Sequence, residues 1–216
     1  MTNPDNAIGT NAAYGGRTSV KAFNDVLSAF TTGILSGWDC APDSGLTVSL
    51  GGGNGERDVA IAEDNNGNKA TINNISQDEV YVTMASAPVS NSRIDAIVAY
   101  VDNPPQGTST VADNPGACGI IPVSGTAAAS PLAPDDSAIR NAITSDGASG
   151  TTAYYVILAY VFIPTGMTDL IPEYIQKGEE AKLTIMSSAS NIRMTTVDPG
   201  EGQNIQENHF IAVYEA

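Results

Sequence analysis

The chain has 216 residues, of which 42% are hydrophobic and 15% charged, so it can bury a real core and draws its polarity from Asn, Ser, Thr and Gly. Twenty-four acids against 9 bases give a formal net charge of −15, a surface that repels phosphate backbones and excludes a nucleic-acid or anionic-membrane binder. With 21 glycines and 12 prolines, turns are favoured over long helices.

No apolar run approaches the ~18 residues that span a bilayer. The start, Met1-Thr2-Asn3-Pro4-Asp5-Asn6, has neither the basic residues nor the apolar stretch of a secretion signal, so synthesis in a cytoplasm is expected. Two cysteines, Cys40 and Cys118, and one histidine, His209, fall short of the ligand set of a zinc site. Both thiols are expected to be buried and unpaired. His209, at the mouth of a strand, reads as a structural or surface residue.

Residues 1–18 are polar and without period, an arm held only by a neighbour. Val20, Phe23, Leu27, Phe30 and Ile34 then recur at steps of three and four, which predicts an amphipathic helix over 19–37. Its apolar face of Val20, Phe23, Leu27 and Phe30 needs a cover, either the domain itself or equivalent helices of other subunits. Trp38 follows, placed to seal that helix against a sheet.

From residue 46 the period falls to two. Leu46, Val48 and Leu50 alternate with Thr47 and Ser49, and Val59 and Ile61 lead into Asp64-Asn65-Asn66-Gly67-Asn68. Asn-Gly between alternating runs marks a hairpin. Val80–Met84 and the more continuously apolar Arg93–Val101 complete a set of about four or five antiparallel strands, the last of them central. Residues 102–152 are rich in Pro and small residues, with a short strand at Ile120–Val123 and a short helix from Asp135 or Asp136 carrying Ile139 and Ile143. The most apolar strand, Tyr154–Ile163, needs the earlier sheet as its cover, so 38–177 reads as one β domain with a long excursion at 102–152. Residues 178–216 form a β extension with candidate strands at 183–186, 192–194 and 210–214.

The motifs that suggest chemistry each have a plainer reading. Gly51–Gly55 lacks the following lysine and helix of a phosphate loop and reads as a hairpin loop. Asp64, Asn66 and Asn68 have the 1-3-5 spacing of a calcium loop, but the glycine is misplaced and Ile75 stands where the bidentate acid belongs, so a turn is expected. Adjacent acids such as Asp135-Asp136 and Glu179-Glu180 do not make a carboxylate pair across a cleft. Tyr154, Tyr155 and Tyr160 lie on a core-like strand and offer no clear sugar platform. No catalytic, cofactor or metal residue is therefore assigned, and an enzyme is not expected.

The order of elements carries a resemblance. The helix Phe23-Asn24-Asp25-Val26-Leu27, then Gly33-Ile34-Leu35-Ser36-Gly37 and Ser44–Leu50, resembles the start of many tailed-phage virion proteins. Arg93-Ile94-Asp95-Ala96-Ile97-Val98-Ala99-Tyr100-Val101-Asp102 resembles the Arg-Ile-Asp-x-Ile-Val strand of phage baseplate and receptor-binding-device subunits. Leu158–Val161, Ile163, Gly166 and Asp169-Leu170-Ile171 are similar to the strand and turn that close that domain. The likeness spans roughly residues 18–175. It departs from the family in leaving only a short tail where such subunits continue into a shaft and a receptor-binding head.

The resemblance implies a non-enzymatic virion subunit of the tail-tip, baseplate or tail-fibre adhesion device, assembled as a homotrimer or ring with other virion proteins. Val20, Phe23, Leu27 and Phe30 are then expected at or near the subunit contact. Two alternatives remain: a head fibre or capsid decoration protein docked through residues 1–18, and a carbohydrate-binding module meeting a host-surface glycan through loops such as 103–116. The fold expected is mainly β, an antiparallel sandwich or barrel with one N-terminal amphipathic helix. Arg93 and Asp95, pointing to the same face of their strand, are expected to serve structure.

Overall fold

The computed structural model describes residues 27, 29–52, 57–74, 78–102 and 118–183, together with the backbone of 192–195 and 210–213. Its strands are β1 (Gly33–Ser36), β2 (Cys40–Pro42), β3 (Thr47–Leu50), β4 (Val59–Glu63), β5 (Lys69–Asn73), β6 (Val80–Thr83), β7 (Arg93–Asp102), β8 (Cys118–Val123), β9 (Ala153–Ile163), β10 (Ile175–Lys177), β11 (Ile192–Thr195) and β12 (Phe210–Val213). The α-helix α1 (Asp136–Ser145) lies between β8 and β9. The fold is mainly β, as expected, and its sheets stack without closing into a barrel.

The large sheet has seven strands in the order β1-β4-β9-β7-β8, with β5 on β4 and β10 on β9. The second sheet is β2-β3-β6. Both are antiparallel throughout. The segment 184–216 is a separate unit in which β11 and β12 pair in parallel.

The β7–β9 pair is the spine, and its two faces serve different layers. Ile97, Ala99, Val156, Leu158, Val161 and Ile163 share a core with Val48, Leu50 and Val82 of the three-stranded sheet and with Met84 just after β6. Ala96, Val98 and Tyr100 face the other way and are covered by Ile139 and Ile143 of α1. Burial on both faces explains why these strands read as nearly unbroken apolar runs. A bulge keeps the alternation in phase: Ile97 pairs with Ala159 but Val98 with Ile157, leaving Leu158 as the extra residue. Leu158 and Ala159 can thus both enter the inter-sheet core.

α1 forms where its signals lie. The Asp135 side chain caps it by accepting from the Ala138 N–H at 2.8 Å, and Asp136 adds an acid to the first turn. Ile139 and Ile143, four apart, supply the buried stripe.

The predicted helix over 19–37 is corrected at its C-terminal end. Leu27 is helical, but Gly33–Ser36 is a strand on β4, and residues 19–26 lie outside the described residues. Tertiary pairing overrides the local period here. The Ile34 N–H donates to Glu179 O and the Ala181 N–H to Ile34 O, both at 2.8 Å. Gly33 permits this approach, because a Cβ there would meet the Glu179 carbonyl. Trp38 accordingly packs among residues of the two sheets instead of sealing a helix, and its indole N–H has no partner among the described residues.

The buried acids fasten loops to strands. Asp58 accepts from the Trp38 N–H (2.7 Å), the Gly52 N–H (3.1 Å) and Asn74 Nδ2 (2.9 Å). Asp102 accepts from the Ser149 N–H and the Thr152 hydroxyl. Asp95 receives Arg93 Nε on both oxygens, at 2.9 and 3.0 Å, and the Gly125 N–H at 3.1 Å. The remaining guanidinium nitrogens donate to Ser86 O and Ala85 O. The Arg-Ile-Asp motif is therefore a fastener between the loops at either side of β7, as its placement on one face predicted.

Candidate binding cleft

α1 does not cover the whole of its sheet face. Tyr155, Ile157 and Tyr160 of β9 lie on that face but stay half-buried, and they line a cleft of about 420 Å³. Thr32, Gly33, Glu63, Asp64, Asn65, Asp136, Arg140, Val156 and Glu179 complete its lining.

One wall is built by the helix. Arg140, one turn after Asp136, directs Nε to both of that carboxylate's oxygens (2.9 and 3.1 Å). Its Nη1 donates to Gly150 O and Ala153 O, and its guanidinium carbon stands 5.0 Å from the Tyr155 ring centroid. Tyr155 closes the constellation by donating its hydroxyl to Asp136 Oδ1 at 2.7 Å. Burial first, and then that hydrogen bond, push the Tyr155 phenol far above its usual range. Tyr160 is raised as well, by burial and by the nearby Glu179 carboxylate. Both rings keep their protons at neutral pH and act as hydrogen-bonding aromatics, not as phenolates.

The opposite wall comes from the β4–β5 hairpin. Thr32 Oγ1 donates to Glu63 Oε2 at 2.7 Å, and Lys69 Nζ pairs with Glu63 and donates to Thr32 Oγ1. Burial lowers the Lys69 ammonium below its usual range. The Asp64–Asn68 turn is the tight turn expected from its Asn-Gly, with Gly67 at φ 78°. Asp64 Oδ1 accepts the N–H groups of Asn66 and Asn68, and Oδ2 accepts Asn68 Nδ2. Both Asp64 oxygens, the first pair that spacing offered to calcium, are thus engaged within the turn. Among the described residues no group of three or more His, Cys, Asp or Glu is gathered for a metal.

Burial pushes the Asp64 carboxyl up, but the donors of Asn68 and Asn66 outweigh it and hold the group below its usual range. A carboxyl depressed by folding stabilises the native state fully above its unfolded pKa, near 3.9, and that contribution is lost as pH falls through the depressed value. Asp64→Ala is therefore expected to lower stability at neutral pH and to flatten its decline below about pH 4. Urea melts at several pH values check this, and parallel curves for the two proteins would refute it.

The predicted contact residues separate. Val20 and Phe23 lie outside the described residues, Leu27 is buried within the chain, and Phe30 is half-buried with its backbone bridged to Leu183. Both cysteines are free, but neither is fully buried as expected: Cys40 is half-buried and Cys118 is exposed. Burial, ahead of the opposing charge of Lys177, pushes the Cys40 thiol up to about 11.

The sequence offers Asp64, Asp136, Glu179, Tyr155 and Tyr160 one motif at a time and assigns none of them to a site; the structure brings all five to one cleft, with carboxylates from three separate segments across it. Tyr155 and Tyr160 sit inside an apolar run, and only the Asp136/Arg140 spacing hints that an ion pair stands beside them. Loop 103–116, proposed for glycan contact, lies outside the described residues. Among the described residues no helix is long and apolar enough to cross a membrane. Comparison with family models, with curated proteins and with solved structures returned no match.

Proposed function

We propose that the chain is a structural, non-enzymatic subunit of a tailed-phage virion, in the tail-tip, baseplate or tail-fibre adhesion device. The observation that carries this reading is the use made of Arg93 and Asp95. The motif that bears the resemblance fastens loops 84–92 and 124–125 to the central strand, the work of a rigid assembly module. A surface of net charge −15 fits a subunit that recognises protein neighbours and not the packaged nucleic acid.

Gold-labelled antibody raised against the purified chain, applied to intact particles, tests the assignment. Label at the tail end is the expected result. Label scattered on the head would replace it with the head fibre or decoration reading, and particles without label would overturn both.

The self-association proposed here is a homotrimer or ring with Val20, Phe23, Leu27 and Phe30 at or near the contact. Phe23→Asp is then expected to dissociate the oligomer in sedimentation velocity while the β signal in circular dichroism persists. An unchanged oligomer would remove this contact from the reading.

A further inference from the structure

We propose that the cleft between α1 and the β4–β5 turn binds an alkylammonium group, a primary ammonium on an aliphatic stem. The inference does not depend on the virion assignment.

The lining sets the chemistry. Four carboxylates, Glu63, Asp64, Asp136 and Glu179, line it with one guanidinium, that of Arg140, and among the described residues the only other cation at these walls is Lys69, behind Glu63. An anionic ligand is repelled by such a wall. The cleft is not simply acidic, because its floor is Tyr155, Ile157 and Tyr160, which an apolar stem can cover. Its volume, about 420 Å³, is in the range of small-ligand sites.

The balance of donors and acceptors separates a cation from a neutral polyol. Most of the donors at the cleft already serve the protein: Arg140 Nε and Nη1, the Tyr155 hydroxyl, Asn65 Nδ2 and Thr32 Oγ1 each have an acceptor, as does Lys69 Nζ beside it. Acceptors are in surplus. The Glu179 carboxylate, an acceptor only, has no ion-pair partner among the described residues, and the Tyr160 hydroxyl, which can accept as well as donate, has no hydrogen-bond partner among them. An ammonium brings three donors and no acceptor, which is what this surplus takes.

The site already holds such a contact. Arg140 lies over the Tyr155 ring and is paired with a carboxylate, so cation, ring and acid are assembled once from the chain's own residues. Tyr160 and Glu179 offer a second ring and acid close together, with no cation among the described residues assigned to them. That pair is the assigned seat of the incoming ammonium, with its stem along Ile157.

Two sources share this chemistry, a lysine side chain of a partner protein and a free diamine. The test is an NMR titration of the whole isotope-labelled chain at low salt with Nα-acetyl-lysine methylamide, 1,5-diaminopentane, 1-pentanol and glucose. Saturable shifts at Tyr155, Ile157, Tyr160 and Glu179 with the two amines, and none with pentanol or glucose, are expected. The tighter of the two amines identifies the source, and either ranking supports the site. Glu179→Gln and Tyr160→Leu should each weaken binding roughly threefold to tenfold, and Tyr81→Leu, an exposed tyrosine on β6, should not. Because Glu179 is exposed, its substitution leaves the fold intact and keeps the test decisive. Shifts that are equal for pentanol or glucose, or no saturable shift with either amine, would overturn the proposal.

Discussion

Asp95→Asn should lower the free energy of unfolding by about 3–5 kcal/mol, the range found when one partner of a buried ion pair is removed. Asp95 is completely buried and Arg93 is 7% exposed, so the guanidinium left behind has no route to solvent. The amide can keep Oδ1 for the Gly125 N–H and one Arg93 Nε contact, but it loses the negative charge and turns the second acceptor, Oδ2, into an N–H group facing Nε. Loops 84–92 and 124–125 would loosen together, since Arg93 holds the first through Ser86 O and Ala85 O and Asp95 the second. Urea unfolding gives the loss as a shift in midpoint at constant slope. The double substitution Arg93→Met with Asp95→Leu is expected to be less damaging than the single one, because it leaves no buried charge unpaired. A cost below about 1 kcal/mol for Asp95→Asn would place the pair in the weak class of exposed bridges.

Asp58→Ala should be nearly as damaging, at about 3 kcal/mol or more, because hydrogen bonds to an ionised group contribute about 1.5–3 kcal/mol each and three are lost. They come from three stretches of chain, at Trp38, Gly52 and Asn74. Two of the donors are backbone N–H groups that no substituted side chain can remove. Trp38 has φ 53° and Gly37 φ 62°, so this turn is held in a conformation that a bulky residue avoids, and the carboxylate is part of what holds it. Gly51→Ala attacks the same junction from the other side, as its methyl would run into the Asp58 carboxylate. Thermal melts of the two variants should therefore fall together. A stable Asp58→Ala protein would mean that the turn is fixed by Trp38 packing alone.

Much of the fold was legible because its signals are local. The β4–β5 hairpin follows from Asn66-Gly67 between alternating runs, and α1 from an aspartate cap and two isoleucines four apart. The centrality of β7 and the need of β9 for a cover were visible in their continuous apolarity. What was not legible depends on distant partners. Gly33–Ser36 pairs with β4 and bonds to Glu179 and Ala181, and neither contact leaves a trace in the helical spacing of Phe30 and Ile34. The cleft was hidden for a related reason. Tyr155 and Tyr160 are partly open only because α1 covers part of the face and a bulge at Leu158 lies between them, and a residue count along the strand records neither.

The closure of the fold by its own far end bears on how the molecule is made. The Lys182 N–H bonds to Thr31 Oγ1 across 151 positions, and β1 receives its second edge from residues 179–181. β7 likewise waits for β9, which is synthesised after the whole 103–152 excursion. At about 5–20 residues per second, the nascent chain spends several seconds with its central strand's longest ladder unmade and an apolar edge in water. Contacts of such long range also slow the search itself. Yield in a foreign host should then depend on temperature and on chaperone supply more than on the stability of the finished protein. Fusion of a bulky tag within residues 178–183 would strike the last stitch of the structure.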